Sequence, residues 1–529
     1  MKLATPEQMQ SLDRAAMEEL GIPGLVLMEN AGRATLDQME AQFGPVLGKS
    51  VCLFIGPGNN GGDGLVIARH VLQRGGVPLL VFLIEPEQLR GDAAVNAGIC
   101  AKLWLTHYII RQEAELPQLL DKIRQLHFTQ PVHSLVDALF GIGLSRKLEG
   151  CFAAVVRLIN ELAQQQHWPV VAVDIPSGLS AQTGMPLGCS VEADLTVTYG
   201  LAKPGQYLHG GAAVGKLKVA DIGIPEQLVA AAKLPGQLLE QRGIAALLRP
   251  RAKAAHKGSF GHLLILAGSE GKTGAALLAA KAALRSGCGL VTLAVPKALN
   301  PIFATALPEV MTVPLPGSDS YLSAADYEQI TNLLADKDAL VIGPGIGLAP
   351  ETGELVLRLH RRVHLPIVLD ADALNLLAQN TLSIADAAGP RLLTPHPGEM
   401  ARLTGLRTTE IQADRLKAAD WLAEAEIRDG HEIITVLKGA GTVICSSKGG
   451  WAVNSSGNNG LAVGGTGDVL AGFIGGLLAQ GYIPWEAAAI GVFLHGLAAD
   501  LLAQKQQHGF TAGELAAALP WAISTLQQK

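Results

Sequence analysis

Short apolar runs alternate with helical patterns along most of the chain. In the first half, strand-like runs occupy Val51–Ile55, Val77–Ile84, Leu135–Leu139 and Val170–Val173, and a helical pattern spans Leu65–Gln73. Apolar runs of this length, joined by helices, are typical of parallel strands that are buried on both faces. The pattern therefore predicts an α/β domain built on a parallel sheet.

The same alternation resumes in the second half of the chain. Between Ile224 and Arg251 no strand is evident, and Leu234-Pro235-Gly236 provides a turn that favours a domain boundary. The two halves share no register, so we expect two unrelated α/β domains, residues 1–235 and residues 236–529. The strand-like runs of the second half are Leu263–Leu266, Leu290–Val295, Ala339–Ile342, Ile367–Leu369 and Ile433–Leu437.

Two other regions show helical character. The region from Pro6 to about Glu40 predicts one long helix that covers the sheet or an oligomer interface, because its apolar residues recur at helical spacing. The most apolar region, Leu461 to Leu502, predicts buried helices rather than a membrane span, because Asp468, Gln480, Glu486, His495 and Asp500 interrupt it.

Length, composition and charge narrow the class of protein. The 529 residues exceed a usual single core, and 49% hydrophobic residues, 17% charged residues and 61 glycines suit buried parallel sheets. The net charge of −6 comes without a long basic run, so no nucleic-acid partner is expected. The six cysteines lack CxxC spacing and the N-terminus lacks an apolar secretion signal. We therefore expect reduced cysteines, no membrane partner and a cytoplasmic location.

A first candidate site follows the Val51–Ile55 strand, at the segment Gly56-Pro57-Gly58-Asn59-Asn60-Gly61-Gly62-Asp63-Gly64. Its glycines are expected to reach left-handed conformations and to let backbone N–H groups close on phosphate. Asp137 and Asp174 also end strands, and Ser177 follows the second of them. If these strands are neighbours, Asn60, Asp137 and Ser177 offer oxygen ligands to a hard cation. Asp174 then remains available as a general acid or base.

A second candidate site lies at Gly464-Gly465-Thr466-Gly467-Asp468, which opens a helix. N–H groups at a helix start stabilise a transferring phosphoryl group, and Asp468 in the first turn is placed to deprotonate a hydroxyl. Lys438 ends a strand at a glycine turn, where an ammonium meets a phosphate as a point charge. His396 is fixed between two prolines, which suits a ligand contact. The sequence contains no GxxxxGK[ST] segment, so this is not a Walker-type site.

Each of these features also has a structural interpretation. An Asp after a strand often caps the next helix, and an Asp in the first turn of a helix, such as Asp468, often only compensates the helix dipole. In the same way, Lys438 can be interpreted as a solvated surface lysine and His396 as a structural histidine. Gly56-x-Gly58-x-x-Gly61, followed at a distance by Glu85, fits the dinucleotide fingerprint as well. A nicotinamide dehydrogenase is therefore an alternative for the first half, although Asn59, Asn60 and Asp63 place polar groups where that fingerprint needs bare backbone.

Taken together, the motifs resemble those of the bifunctional NAD(P)H-hydrate repair enzymes, in which an epimerase domain is fused to an ADP-dependent dehydratase domain. The resemblance covers nearly the whole chain and implies a Rossmann-like parallel-sheet domain followed by a ribokinase-like α/β domain. In the first half it rests on Asn59 to Gly64, Asp137-Ala138-Leu139-Phe140-Gly141 and Asp174-Ile175-Pro176-Ser177-Gly178. In the second half it rests on His256-Lys257-Gly258, Asp370-Ala371-Asp372-Ala373-Leu374-Asn375, His396-Pro397-Gly398-Glu399 and Gly465-Thr466-Gly467-Asp468.

The resemblance implies that both domains act on the hydrated nicotinamide ring of NADH or NADPH. The first domain would interconvert the R and S epimers of the hydrate, with Asp174 as acid or base and K⁺ held by Asn60, Asp137 and Ser177. The resemblance places the substrate against Asn59, Asn60, Gly61, Gly62, Asp63, Gly141, Ile142, Gly143, Leu144, Ser145, Arg146, Lys147 and Asp174.

The second domain would return the S epimer to intact cofactor, with ADP converted to AMP and phosphate. Because water is a poor leaving group, phosphorylation of the hydroxyl would let the ring nitrogen expel phosphate, and Asp468 would deprotonate that hydroxyl. The resemblance implies Mg²⁺ with ADP. It places ADP on Lys438, Gly439, Ala440, Gly441, Thr442 and Gly467, and the hydrate near Ala275, Gly347, His396 and Asp468.

Two further alternatives remain open from the residues alone. A ribokinase-like small-molecule kinase with an accessory dinucleotide-binding domain would release a stable phosphorylated product. A dinucleotide sensor would leave the epimer ratio unchanged. Whichever function applies, the apolar lead-in helix favours a homo-oligomer.

Overall fold

The computed structural model describes residues 1–379, 384–422, 425, 427–506 and 508–527. It divides into two compact units, one of residues 2–236 and the other of residue 1 and residues 237–529. Each unit contains its own largely parallel sheet with helices packed on it. The α/β class predicted from the alternation of apolar runs is thereby confirmed.

The first unit contains eight strands and seven α-helices among its described residues. The strands are β1 (Lys2–Leu3), β2 (Ser50–Ile55), β3 (Val77–Phe82), β4 (Thr106–Ile109), β5 (Val132–Ala138), β6 (Val170–Val173), β7 (Leu195–Tyr199) and β8 (Lys216–Ala220). The helices are α1 (Pro6–Glu18), α2 (Gly24–Phe43), α3 (Asn59–Gln73), α4 (Gly91–Lys102), α5 (Leu116–Thr129), α6 (Gly150–Gln166) and α7 (Glu226–Ala231). Short 3₁₀ helices span Pro86–Gln88, Glu113–Glu115, Pro204–Gln206 and Leu208–Gly211.

The sheet of the first unit has the order β4-β3-β2-β5-β6-β7-β8, and all its pairs are parallel. The chain passes from β2 outward to β3 and β4, then returns to β5 on the other side of β2. The loops after β2 and β5 consequently diverge and leave a crevice at the carboxyl edge, where open α/β sheets bind ligands. Strand β2 is buried on both faces, with Val51, Leu53 and Ile55 in one core and Cys52 and Phe54 in the other.

The lead-in region is two helices rather than the single long helix that the apolar spacing predicted. The chain breaks between α1 and α2, where Gly21 has φ +69° and Pro23 is the N-cap residue of α2. A left-handed glycine ends a helix and proline cannot continue one, so the break follows from these two residues. Strands β4, β7 and β8, which the apolar runs did not reveal, complete the sheet.

Except for Gly58, the glycines after β2 serve close packing, not the left-handed conformations expected from the sequence. Helix α3 already begins at Asn59, and Gly56, Gly58, Gly61, Gly62 and Gly64 all have negative φ. A Cβ at Gly61 would overlap the carbonyl oxygen of Gly56, and one at Gly64 would lie 2.6 Å from the Cβ of Ala138. Glycine is needed because the first turns of α3 lie directly against the ends of β2 and β5.

The second unit contains ten strands and twelve α-helices among its described residues. The strands are β9 (Gly236–Leu239), β10 (His262–Leu266), β11 (Leu290–Pro296), β12 (Met311–Leu315), β13 (Ala339–Ile342), β14 (Ile367–Leu369), β15 (Arg391–Leu393), β16 (Ile433–Leu437), β17 (Val443–Ser446) and β18 (Trp451–Asn454). Its 3₁₀ helices are Lys257–Phe260, Lys297–Leu299, Ala324–Asp326, Leu334–Asp336, Ile384–Asp386, Arg428–Gly430 and Asn459–Leu461.

The α-helices of this unit are distributed along its whole length. They are α8 (Gln241–Leu247), α9 (Thr273–Arg285), α10 (Asn300–Ala306), α11 (Tyr327–Leu333), α12 (Pro350–Arg362), α13 (Asp372–Gln379), α14 (Pro397–Thr404), α15 (Thr408–Ala413), α16 (Arg415–Ala419), α17 (Thr466–Ala479), α18 (Pro484–Ala503) and α19 (Ala512–Gln527).

The sheet of the second unit runs β9-β18-β17-β16-β15-β14-β13-β10-β11-β12. Strands β10 to β16 pair in parallel, whereas β17 pairs antiparallel with β16 and β18. From β10 the chain moves outward to β11 and β12 and returns to β13, so a second crevice lies between the loops after β10 and β13.

All five strand-like runs of the second half form strands, but several strands escaped the sequence analysis. Strand β9 lies inside the Ile224–Arg251 stretch that shows no obvious strand, and β15 has only three residues. Strands this short give only a weak periodicity, although β14, with three residues, was recognised from its apolar run.

The region from Leu461 to Leu502 forms helices α17 and α18, which are largely buried in the core of the second unit. By length and composition alone, α18 is apolar enough to cross a membrane, even though its charged residues argued against such a span. In its most apolar window, 72% of the residues are buried inside the protein. This burial matches the predicted core helix.

Candidate active sites

A cavity of about 550 Å³ opens at the carboxyl edge of the first sheet. The start of α3, the loop after β5 and the segment after β6 all contribute to its wall. Of the residues singled out from the sequence, those that line it are Asn59, Asn60, Asp63, Gly141, Ile142, Gly143, Leu144, Ser145, Arg146 and Asp174.

Three residues that were expected to contact the substrate do not line this cavity, namely Gly61, Gly62 and Lys147. A Cβ at Gly61 would meet the Gly56 backbone, and a Cβ at Gly62 would lie 2.6 Å from the Cε of Met28. Both glycines therefore allow α3 to pack. Lys147 is exposed in the loop after β5, next to Arg146.

Asp174 is held in a strained and fully specified position at the end of β6. Its φ is +62°, a left-handed conformation that costs a residue other than glycine about 1–3 kcal/mol and is frequent at functional sites. Its Oδ1 accepts hydrogen bonds from Thr198 Oγ1 at 2.9 Å, Lys203 Nζ at 2.6 Å and the Tyr199 amide at 3.2 Å. Gln206 Nε2 donates to its carbonyl oxygen at 2.9 Å. Oδ2 remains directed toward the loop after β5, because a Cβ at Gly141 would lie 3.6 Å from it.

Lys203 is a site residue that the sequence analysis missed. Its side chain is fully buried, and it donates to Asp174, to Thr198 Oγ1 at 2.8 Å and to the Tyr199 carbonyl at 3.2 Å. A buried ammonium needs an ionic partner, and Asp174 is that partner. A signal was present, because Lys203 stands in a glycine-flanked segment after the β7 strand, as Lys438 does after β16.

Two further carboxyl groups share the cavity with Asp174. Burial raises the pKa of Asp63 well above its ordinary value, and the charges of Asp174 and Asp13 raise it further. Burial also raises the pKa of Asp13 to about 6, while Lys203 opposes this shift. The cavity thus combines an ammonium with three carboxyl groups of different environments, an arrangement suited to proton transfer.

Asp137 and Ser177 form an oxygen-rich cluster beside this cavity. Ser177 donates to Asp137 from its hydroxyl at 2.6 Å and from its amide at 2.7 Å, and the Leu139 amide donates at 3.2 Å. Burial raises the pKa of Asp137 to about 6 even though these hydrogen bonds oppose the shift. The Nδ2 of Asn60 is buried and has no hydrogen-bond partner among the described residues. Carboxylate, hydroxyl and amide oxygens are ligands that a hard cation takes.

The second unit places Asp468 in the first turn of α17, whose N-cap residue Gly465 has φ +93°. Burial raises the pKa of Asp468 to about 7, and the charge of Asp370 raises it while Lys438 lowers it. A carboxylate with a pKa near neutrality is matched to general-base catalysis.

Lys438 connects the end of β16 to the start of α17. Its Nζ pairs with Asp370 at 2.8 Å and lies 3.8 Å from Glu399, and a Cβ at Gly467 would lie 3.3 Å from it. Burial lowers the pKa of Lys438, but Asp370 and Glu399 outweigh burial and raise it above its ordinary value. Lys438 is therefore a largely buried, ion-paired cation at the helix start and not a solvated surface lysine.

The loops after β10 and β13 meet at the second crevice, as its topology requires. Ser269 Oγ donates to the Gly345 carbonyl at 2.8 Å, and the Gly347 amide donates to Asp372 Oδ2 at 2.9 Å. A Cβ at Gly345 would lie 3.0 Å from the Cβ of Ala275 at the start of α9. The structure thus brings Ala275 and Gly347 to the same edge of the sheet. The charge of Asp372 also raises the pKa of Asp468.

The turn from Gly439 to Thr442 joins the antiparallel strands β16 and β17. Gly439 has φ +149° and Gly441 has φ +68°, conformations that favour glycine, and Thr442 Oγ1 donates to the Gly439 carbonyl at 3.0 Å. Arg415 lies buried beneath this turn and donates to the carbonyls of Leu437 at 3.0 Å and Lys438 at 3.2 Å. Gly439 and Ala440 remain exposed for a ligand.

His396 has a structural role that the sequence left open. It is the N-cap residue of α14, and its Nδ1 accepts from the Gly398 amide at 3.0 Å and the Glu399 amide at 3.4 Å. Burial lowers its pKa, and the nearby charge of Lys438 lowers it further. The neutral ring is about half exposed, so it can cap the helix and still contact a ligand.

Comparisons with known proteins cover both units. A family model described as NAD(P)H-hydrate dehydratase matches residues 263–521, and one described as YjeF-related protein N-terminus matches residues 24–205. The chain is 43% identical to the bifunctional NAD(P)H-hydrate repair enzyme Nnr of Moorella thermoacetica, over 100% of this chain and 98% of the relative. It is 35% identical to the protein of the same name from Escherichia coli, over 98% of this chain and 91% of the relative.

A solved structure also matches, with 34% identity and a TM-score of 0.49. It is the ADP/ATP-dependent NAD(P)H-hydrate dehydratase of Bacillus subtilis, co-crystallised with ATP/Mg²⁺, and the match covers 55% of this chain and 98% of that chain.

Two α/β units, each with acidic residues and glycine turns at the carboxyl edge of its sheet, define a two-site enzyme. With its full-length similarity to relatives of that name, the chain belongs to the family of bifunctional NAD(P)H-hydrate repair enzymes.

Proposed function

We propose that the first unit epimerises the R and S hydrates of NADH and NADPH and that the second unit dehydrates the S hydrate with ADP. The observation that supports this assignment most strongly is that the family motifs of each half meet at the carboxyl edge of its own sheet, except His256-Lys257-Gly258, which lies before β10. Similarity over the whole chain supports the pairing of the two activities in one protein.

In the epimerase unit, Asp174 is the general acid or base. Lys203 and Thr198 engage its Oδ1, which leaves Oδ2 for the substrate. The loop from Gly141 to Lys147 binds the dinucleotide, and its exposed Arg146 and Lys147 attract the pyrophosphate at the cavity rim.

In the dehydratase unit, Asp468 takes the proton of the hydrate hydroxyl as that oxygen attacks the β-phosphate of ADP. The product AMP leaves, and the ring nitrogen then expels phosphate to restore the cofactor. Lys438 and the N–H groups at the start of α17 stabilise the charge on the phosphoryl group, and the Gly439–Thr442 turn binds the nucleotide. Ala275, Gly347 and His396 surround the hydrate.

Mg²⁺ would enter with ADP and neutralise phosphate charge. No preformed cluster of three or more His, Cys, Asp or Glu ligands occurs in the part of the chain that the structure describes. Mg²⁺ is commonly held by one or two carboxylates together with substrate phosphates, so such a cluster is not required.

We assign K⁺ to Asn60, Asp137 and Ser177 in the epimerase unit. A cation there would compensate the charge of the buried Asp137 carboxylate and would be coordinated by the amide oxygen of Asn60. Replacing K⁺ by Na⁺ is expected to weaken epimerisation and spare dehydration, because the smaller ion fits the same oxygens less well. Steady-state rates in the two salts measure this, and equal epimerisation rates would remove K⁺ from the proposal.

The proposed setting is the cytoplasm, with the protein as a homo-oligomer that binds neither nucleic acid nor membrane. All six cysteines are free thiols, as a reducing compartment favours. Exposed apolar side chains on α1, on α2 and in the segment between them support self-association, namely Met17, Leu20, Leu25 and Val26.

The direct test mixes the protein with both NADH-hydrate epimers, ADP, Mg²⁺ and K⁺ and follows the return of reduced-nicotinamide absorbance. Wild-type protein is expected to recover both epimers. Asp468→Asn is expected to abolish dehydration and retain epimerisation, and Asp174→Asn is expected to do the reverse. A stable phosphorylated product without returning absorbance would instead support the small-molecule kinase.

A further inference from the structure

Helix α1 brings a carboxyl group into the first cavity from outside the recognised domain. The matched family region begins at residue 24, whereas α1 ends at Glu18. Met9, Asp13 and Met17 are spaced four residues apart, and all three line the cavity, as residues on one face of a helix do. Asp13 is the acidic side chain of this otherwise largely apolar wall.

The surroundings of Asp13 do not explain it as a structural residue. Thr5 caps α1, and Asp13 stands in the later part of the helix, where a carboxylate gains nothing from the helix dipole. Its Oδ1 is buried and has no hydrogen-bond partner among the residues that the structure describes. A buried oxygen left without a partner is costly, so a cavity ligand is the group that would satisfy it.

We propose that Asp13 is a second catalytic acid–base residue of the epimerase reaction and acts from the α1 wall while Asp174 acts from the sheet edge. This role rests on the function proposed above for the first unit. Epimerisation requires the hydroxyl to leave one face of the ring and return on the other. Two acid–base groups on different elements of one cavity meet that requirement.

The charges around Asp13 suit this exchange of protons. The groups that act on it electrostatically are Lys203 and Asp174, and Asp13 in turn acts on Asp63. Burial raises the pKa of Asp13 to about 6, so both its protonated and its ionised forms are accessible near neutral pH.

The proposed step is balanced in protons and electrons. Protonated Asp13 donates its proton to the hydroxyl at the epimeric carbon, the C–O bond breaks, and its electron pair leaves with water. The lone pair of the ring nitrogen forms a C=N bond. Water then adds to the opposite face, the C=N electron pair returns to nitrogen, and the Asp174 carboxylate accepts the released proton. Solvent returns that proton to Asp13, and the reverse epimerisation runs the same steps backward.

The test measures interconversion of the separated epimers by full-length protein without ADP, so that the dehydratase is silent. Asp13→Asn is expected to lower kcat for epimerisation by about 100-fold or more, the scale of lost acid–base catalysis, with a much smaller change in KM. Glu18→Gln is the matched control, because it removes an exposed carboxylate from the same helix. It is expected to behave as wild type.

The outcomes separate this role from the proposed function. An active wild type with Asp13→Asn at more than half its rate would overturn the role of Asp13 and leave the epimerase standing. A wild type that does not epimerise would overturn both. Asp13→Glu retains a carboxyl group and is expected to recover part of kcat. Equal losses in the Asn and Glu variants, each with a lowered thermal midpoint, would make Asp13 a structural residue and overturn its role.

Discussion

At the scale of single residues, the role proposed for Asp468 as the base of the second site predicts how dehydration depends on pH. Burial raises the pKa of this carboxyl group to about 7, with a further rise from Asp370 and an opposing effect of Lys438. Only the ionised form can accept the hydroxyl proton. We therefore expect kcat/KM for dehydration to fall about tenfold per pH unit below about pH 7.

The acidic limb of the pH profile, which is the range below about pH 7 where dehydration slows, also tests the role of Lys438. Lys438→Met removes the cation that lowers the pKa of Asp468, so the limb is expected to move to higher pH. Rate profiles from pH 5.5 to 9 measure the shift, with Lys448→Met as control because Lys448 is an exposed turn residue. A limb that stays in place in Lys438→Met would contradict the proposed coupling.

The sequence placed acidic residues at strand ends but did not reveal what holds them. Asp174 and Asp468 stand out because each follows a strand or a glycine run. Lys203, by contrast, reaches Asp174 from a different loop, and Asp13 reaches the cavity from a helix far away in sequence. Such partners meet only through the packing of distant elements, which residue spacing does not encode.

At the scale of elements, glycines allow α17 to lie directly against α9 and β13. A Cβ at Gly472 would overlap the Ala279 carbonyl oxygen, and a Cβ at Gly475 would overlap the Val341 side chain. Gly472→Ala gains about 1 kcal/mol of helix propensity but forces the helices apart. We expect a net loss of about 1–3 kcal/mol, seen as a lower thermal midpoint of the second unit.

Gly243→Ala is the matched control for this prediction. Gly243 lies in α8, where an added Cβ would have no neighbour within 4 Å. Only the propensity gain applies there, so the midpoint is expected to hold or rise. If Gly472→Ala also raised the midpoint, the close contact between α17 and α9 would not limit stability.

The same reasoning corrects the sequence interpretation of the first glycine run. Positive φ was expected from Gly56 to Gly64, yet these residues have negative φ and belong to a strand end and to the first turns of α3. Residue type identifies glycine as special. Whether glycine is needed for its backbone freedom or for its lack of a Cβ depends on the groups that pack beside it.

At the scale of the whole molecule, the chain has two compact units whose parallel strands follow the same order, outward from β2 or β10 for two strands and then back to the other side of that strand. The full-length similarity to bifunctional relatives covers both units. The short edge strands β9, β17 and β18 extend the second sheet beyond what the apolar runs indicated.

The sequence by itself determined the α/β class, the long central strands, the buried helices α17 and α18 and the family. These depend on local hydrophobic period and on contiguous motifs, which neighbouring residues carry. Only the tertiary structure decided the strand orders, the broken lead-in helix, the contact of Lys203 with Asp174 and the place of Asp13 in the cavity. These depend on contacts between residues far apart in sequence, because strand order and helix packing set which side chains share one cavity.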